Sequence, residues 1–126
     1  GKRGEISINL QWDTEDDVDL YLEIPGNFRV FCGDTMKVVD RFIARLDVDA
    51  NRYEDKLTES PQENIYCDFA LVGTYSVKLV LFENRTHRPV KYKVFLKIRD
   101  KEEIREGVLY FQGKKEITIK EFEILN

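Results

Sequence analysis

Acidic side chains are concentrated in short stretches of the sequence, and their oxygens are the reactive groups that the chain offers most clearly. The first stretch has five carboxylates between Trp12 and Leu22: Asp13, Glu15, Asp16, Asp17 and Asp19. No Lys or Arg lies between Glu5 and Phe28. Like charges at this density repel one another unless water solvates them or they share a cation. The pattern therefore poses two alternatives, a cation site or a solvated acidic surface.

A second acidic stretch, Leu46-Asp47-Val48-Asp49-Ala50-Asn51, bears on the same choice because Ca²⁺ takes six to eight oxygen ligands. Neither stretch is a self-contained EF-hand loop. Val18 and Ile24 occupy the Gly and Glu positions of the first, and Arg52 and Thr58 those of the second. Two alternatives stay open: these carboxylates are solvated surface and turn residues, or the two stretches and the end of the following loop share one Ca²⁺ site. The candidate ligands of such a shared site are Asp13, Asp16, Asp17, Asp19, Asp47, Asp49, Glu63 and Asn64.

Period-two alternation of apolar residues dominates the chain and supplies the elements that would position these ligands. Ile6–Trp12 and Val18–Ile24 alternate in this way, with Trp12 in the core and with Asp17 and Asp19 on the opposite face to Leu20. Further strands are predicted at these ranges: 28–32, 46–49, 64–71, 74–83, 90–99, 108–111 and 116–125. Residues 38–46 also fit one helical stripe, but we prefer a strand.

Short strands with regularly spaced turns predict an all-β fold, a single antiparallel β-sandwich of about eight or nine strands. Its topology is either immunoglobulin-like or jelly-roll-like, and the domain spans 1–126 with a flexible lead-in at 1–4. We expect 74–83 and 90–99 to form one hairpin and 108–111 and 116–125 another, with a turn at 100–103. The outward basic residues Lys91, Lys93, Lys97 and Arg99 are interpreted as protection of an edge strand rather than an anion-binding face.

Composition and missing motifs exclude several classes of function. The net charge is −4, which argues against nucleic-acid binding, and no apolar run is long enough for membrane insertion. We expect no enzyme, because the single His87 lies in a basic loop and no Gly-rich phosphate loop occurs. Cys32 and Cys67 are read as reduced thiols in preference to a disulfide.

An ordered set of short motifs resembles the YfaP-like bacterial domains of unknown function. The matching segments are Trp12-Asp13-Thr14, Asp17-Val18-Asp19-Leu20, Pro25-Gly26-Asn27, Leu46-Asp47-Val48-Asp49, Glu63-Asn64-Ile65, Gly73-Thr74-Tyr75-Ser76-Val77 and Phe111-Gln112-Gly113. They span nearly the whole chain. The resemblance implies a β-sandwich module of exported or cell-surface bacterial proteins, whose clustered acids are suspected of binding Ca²⁺. The chain departs from the pattern at Ser60, where the family has Gly.

Three hypotheses for the function follow. We favour a non-catalytic interaction module that binds another protein or assembly and is stabilised by Ca²⁺. The second is a structural or decoration subunit of a virion, tail or surface layer, docking through its edge strands or the segment from Phe28 to Arg45. The third is a small carbohydrate-binding module that uses Tyr21, Tyr53 and the long polar loop at 50–63.

Overall fold

The computed structural model describes residues 5–30, 61–67, 71–110 and 116–125 in full, and residues 36–39 and 42–48 as backbone. Within these ranges the chain forms ten strands and no helix: β1 (Ile6–Trp12), β2 (Asp17–Ile24), β3 (Phe28–Val30), β4 (Met36–Val39), β5 (Phe42–Val48), β6 (Gln62–Cys67), β7 (Gly73–Glu83), β8 (Val90–Ile98), β9 (Lys101–Leu109) and β10 (Glu116–Ile124). β4 and β5 confirm the preference for strand over helix in the described residues of 38–46.

The strands form two antiparallel sheets, which confirms the predicted β-sandwich. The six-stranded sheet has the order β4-β5-β6-β1-β8-β9, and the four-stranded sheet has the order β10-β7-β2-β3. The two inner faces supply the core, which includes Ile8, Leu10, Leu20 and Leu79, all fully buried. Trp12 continues the β1 face and is 4 % exposed, as its alternation predicted.

Both predicted hairpins are wrong. β7 and β8 lie in different sheets, because β7 pairs with β2 and β10 whereas β8 pairs with β1 and β9. β9 and β10 likewise lie in different sheets. Alternation shows which face of a strand is buried, but it carries no information on which sheet the strand joins. A short polar loop suits a change of sheet as well as it suits a hairpin.

The predicted turn at 100–103 is also misplaced, and the interpretation of the lysines changes with it. The chain turns at Arg99-Asp100, where Arg99 has φ 56°, and β9 begins at Lys101. β8 is consequently an internal strand, so its lysines do not protect an edge. They project from the outer face of the sheet, where Lys93 pairs with Glu106 at 3.2 Å.

The turn at Pro25-Gly26-Asn27 lies where the sequence predicts it and joins β2 to β3. Gly26 and Asn27 have φ of 93° and 63°, values that Gly and Asn adopt more readily than other residues. Within the described residues, no helix is long and apolar enough to cross a membrane.

Candidate metal centre

Asp17 and Asp19 are buried although they lie on the face of β2 opposite to the apolar core. Asp17 is 3 % exposed and Asp19 is 2 % exposed, whereas Tyr21 and Glu23 further along the same face are half-buried. The alternation that directs Val18, Leu20 and Leu22 into the core directs these carboxylates to the other face. Both faces of β2 are therefore buried at its start.

Glu63 comes from the other sheet and is fully buried. It lies in β6 opposite Leu10 of β1. Its Oε1 accepts a hydrogen bond from the backbone N–H of Leu20 at 3.2 Å, so its carboxylate reaches β2. Among the described residues, β3 pairs with β2 from Leu22 to Ile24. The glutamate thus links β6 of one sheet to β2 of the other.

These three residues form what we call the carboxylate triad: Asp17, Asp19 and Glu63. One oxygen from each lies within 4.8 Å of the others. Two ligands on opposite sides of a Ca²⁺ ion are separated by about twice the Ca–O distance of 2.3–2.6 Å, which is roughly 5 Å. The triad therefore has the separations of oxygens that share one cation.

The electrostatics of the triad favour positive charge at its centre. Two unit negative charges within 4.8 Å of each other repel by about 3 kcal/mol or more at an effective dielectric constant near 20. Burial adds a desolvation cost to each ionised group. Three such groups in one buried position are stable only with compensating positive charge or bound protons.

Strand irregularities flank the triad on two sides. Asp17 pairs with Glu83 and Val18 pairs with Leu81, so β7 carries an extra residue at Phe82. On β5, Leu46 pairs with Ile65 and Val48 with Asn64, which makes Asp47 the extra residue of a second bulge beside β6. Bulges re-aim side chains and are frequent next to functional sites. The fold therefore brings the backbone of Asp47 next to the strand that carries Glu63.

Asp16 lies outside the triad and joins two loops. Its Oδ2 accepts hydrogen bonds from the hydroxyls of Thr14 at 2.5 Å and Thr86 at 2.7 Å. Its Oδ1 accepts from the backbone N–H of Thr86 at 2.9 Å, and its carbonyl accepts from the indole of Trp12 at 2.8 Å. The loop from β1 to β2 is thereby tied to the loop from β7 to β8. Sequence reasoning placed Asp16 with the ligands and missed this role.

Two other candidate ligands also lie apart from the triad. The Oδ1 of Asp13 accepts a hydrogen bond from the backbone N–H of Lys91 at 3.1 Å. The Oδ1 of Asn64 accepts from the Nδ2 of Asn9 at 2.6 Å, and alternation puts Asn64 on the face of β6 opposite to Glu63. Asp49 and the side chain of Asp47 are outside the described residues.

The residues named in the other functional hypotheses do not belong to the carboxylate triad, and some of them are outside the described residues. The Arg29 guanidinium lies 5.5 Å from the centroid of the half-buried Tyr21 ring, and Tyr53 is outside the described residues. Val30 belongs to the domain's own core, whereas Phe28 is 40 % exposed. His87 is an exposed loop residue with φ 53°. Cys67 is buried, and Cys32 falls outside the described range.

Comparison of the chain with protein-family models, curated proteins and solved structures found no match. The likeness to YfaP-like domains therefore remains a resemblance of ordered motifs.

Proposed function

We propose that this chain is a non-catalytic β-sandwich interaction module, stabilised by a Ca²⁺ ion that the carboxylate triad holds at β2, with ligands from both sheets. The observation that carries the proposal is the convergence of Asp17, Asp19 and Glu63, buried and within 4.8 Å of one another. A cation at this point neutralises like charges from both sheets at once. It binds the folded chain only, because the unfolded chain does not hold β2 and β6 together.

Oxygen chemistry and the shape of the site favour Ca²⁺ among common cations. Carboxylates alone suit hard cations, whereas Zn²⁺ sites draw on Cys and His ligands. The three carboxylates supply three to six oxygens, depending on how many bind through both atoms, and Ca²⁺ completes its six to eight with carbonyls and water. Ca²⁺ also tolerates irregular geometry, which suits a site assembled from two sheets. Asp47, on the bulge of β5 next to β6, is our candidate for a further carboxylate.

A stabilising role fits this site better than a catalytic one. Catalysis requires a substrate beside the reactive groups, and the triad is formed by residues at most 3 % exposed. A buried cation that joins two sheets contributes to the folding free energy by mass action. The working surface of the module is then the exterior of the sandwich, where another protein or assembly would bind.

The test is thermal unfolding of the whole chain in EDTA and in millimolar Ca²⁺. At Ca²⁺ concentrations 100-fold above Kd, binding stabilises the folded state by about 2.7 kcal/mol, which corresponds to a rise in Tm of roughly 10 °C for a domain of this size. The double variant Asp19→Asn/Glu63→Gln is expected to lose this rise. In EDTA its Tm is expected to exceed that of the parent, because two repelling charges are gone.

Asp16→Asn is the matched control, because it removes one buried charge that lies outside the triad. It is expected to lower the Tm equally in EDTA and in Ca²⁺ and to retain the Ca²⁺-dependent rise. An unchanged Tm of the parent chain in millimolar Ca²⁺ would contradict the proposal. So would a double variant that still responds to Ca²⁺.

A further inference from the structure

In the part of the chain that the structure describes, four strands lie at sheet edges, and three of them carry features that discourage pairing with another chain. β3 has three residues and β4 has four, both short for a sheet edge. β10 has a register shift between Thr118 and Lys120, and the Nη1 of Arg105 donates to the carbonyl of Ile119 at 3.2 Å. Short strands, bulges and covered backbone groups are the usual protections of an edge.

β9 is the fourth edge, and it has none of these three features. Its protection is the charge of Lys101, Glu102, Glu103, Arg105 and Glu106, which discourages pairing except with a strand that sets opposite charges across from them. It is nine residues long, contains no proline, and pairs with β8 in unbroken register from Lys101 to Leu109. Among the described residues, no strand pairs with its outer side. A long regular edge of this kind presents a row of backbone donors and acceptors that another strand can join.

The side chains of β9 select an antiparallel copy of the same strand as the partner. If a two-fold axis passes through Ile104, each β9 residue of one copy lies opposite a β9 residue of the other copy, and the two residue numbers add up to 208. Glu103 then lies opposite Arg105 twice, and Ile104 lies opposite its own copy. Opposite charges and apolar pairs directly across two strands are stabilising.

Neighbouring registers are less favourable, which defines the axis. With the axis at Arg105, two arginines lie opposite each other and Ile104 lies opposite Glu106. With the axis at Glu103, two glutamates lie opposite each other and Ile104 lies opposite Glu102. The Ile104 register does oppose Glu102 to Glu106. Each of these carboxylates already has a lysine of β8 across from it, Lys97 and Lys93 respectively.

The outer face of the sheet supplies an apolar row at the same level. Ile104 is 58 % exposed and lies opposite the half-buried Phe95 of β8. A groove of about 520 Å³ on this face is lined in part by Phe95 and Ile104. Pairing through Ile104 would form one apolar row across the two copies, in the order Phe95, Ile104, Ile104 and Phe95. This row removes exposed apolar surface from water.

We propose that β9 pairs with β9 of a second copy of this chain, across a two-fold axis at Ile104, so that the two six-stranded sheets become continuous. One strand pair is a small interface, so the dimer forms at micromolar to millimolar protein concentration. Its formation does not depend on the carboxylate triad, whose residues lie on β2 and β6.

Analytical ultracentrifugation tests the dimer. The average mass is expected to rise from 14.9 kDa towards twice that value as the protein concentration increases. Ile104→Lys places two ammonium groups at the axis and is expected to keep the mass at 14.9 kDa with an unchanged Tm at low concentration. Val72→Lys is the matched control, since Val72 is 61 % exposed and lies outside β9; this variant is expected to dimerise like the parent.

Cysteine cross-linking tests the register. Opposite Cα atoms of an antiparallel pair are about 4.5–5.5 Å apart, within the range that a disulfide spans. Ile104→Cys is expected to cross-link under mild oxidation, because the two introduced cysteines lie opposite each other at the axis. Val108→Cys is not expected to cross-link, because its two cysteines lie on opposite sides of the axis. A parent chain that stays monomeric, an Ile104→Lys variant that still dimerises, or equal cross-linking of both cysteine variants would overturn the proposal.

Discussion

The Glu63 carboxylate accepts a hydrogen bond from the backbone N–H of Leu20 at 3.2 Å, and this bond links the two sheets of the sandwich. Glu63 lies in β6 of the six-stranded sheet, and Leu20 lies in β2 of the four-stranded sheet. The bond fixes one oxygen of Glu63 at β2, the strand that carries Asp17 and Asp19. The glutamate therefore has two separable roles, as a hydrogen-bond acceptor and as a negative charge.

Substitutions at Glu63 should separate these roles. Glu63→Gln keeps an acceptor for the Leu20 N–H and removes the charge, so in EDTA we expect the Tm to equal or exceed that of the parent. Glu63→Ala removes both and leaves a buried N–H without its acceptor, at a cost of about 1–3 kcal/mol relative to Glu63→Gln. Urea unfolding of both variants in EDTA measures the difference. Equal stability of the two variants would show that the hydrogen bond contributes nothing.

Asp16 should behave as a clamp between loops. Asp16→Ala removes the acceptor of three hydrogen bonds from Thr14 and Thr86, and we expect it to lower the free energy of unfolding by about 2–4 kcal/mol. Thr86→Ala removes one of these bonds and should cost about 1 kcal/mol.

A double-mutant cycle of these two substitutions provides the check. Because Asp16 and Thr86 share hydrogen bonds, the combined loss should be smaller than the sum of the two single losses. Strict additivity in urea unfolding would mean that the two residues do not interact in solution.

Stability in acid should depend on Glu23. The Lys78 ammonium, 2.5 Å from its Oε1, lowers the pKa of Glu23 below its usual value of 4.5, with Arg29 as a second positive neighbour. A carboxyl whose pKa is lowered by folding adds stability above its unfolded pKa and loses it as the pH falls through the folded value. We therefore expect Glu23→Gln to be less stable than the parent at pH 6–8, and the difference to vanish as the pH falls well below 4.5.

Urea midpoints between pH 3 and pH 8 measure this effect, with the exposed Glu121→Gln as the matched control. The control is expected to show no comparable change in its difference from the parent across the same pH range. A Glu23→Gln difference that stays constant down to pH 3 would contradict the assignment.

The strands and buried faces could be predicted from the sequence, because alternation is a local property. Ile6–Trp12 is predicted with the bounds that the structure has, and Gly73–Glu83 within one residue. Sheet membership could not be predicted, since nothing in the residues near Asn84 distinguishes a hairpin from a change of sheet. The charges of Lys101, Glu102 and Glu103 predict a turn at the start of β9, but an exposed edge strand tolerates the same composition.

Part of the candidate site could also be predicted. Asp17 and Asp19 share a strand face, and their convergence with Glu63 was expected from charge density and the position of Glu63 at the end of a loop. The different placement of Asp13 and Asp16 could not be foreseen, because their partners Lys91 and Thr86 are more than 65 positions away in the sequence. Only the tertiary fold determines whether an aspartate meets a backbone N–H or another carboxylate.

The position of β1 in the middle of its sheet has a consequence for synthesis. β1 is synthesised before both of its strand partners, because Ile6 pairs with Cys67 and Ile98. Its apolar face must therefore remain without native strand partners until β6 and β8 have been synthesised, and pairing over such distances is intrinsically slow. Nascent chains that end before residue 90 expose this face, so we expect holdase chaperones to retain them and to release the chain once β8 has emerged.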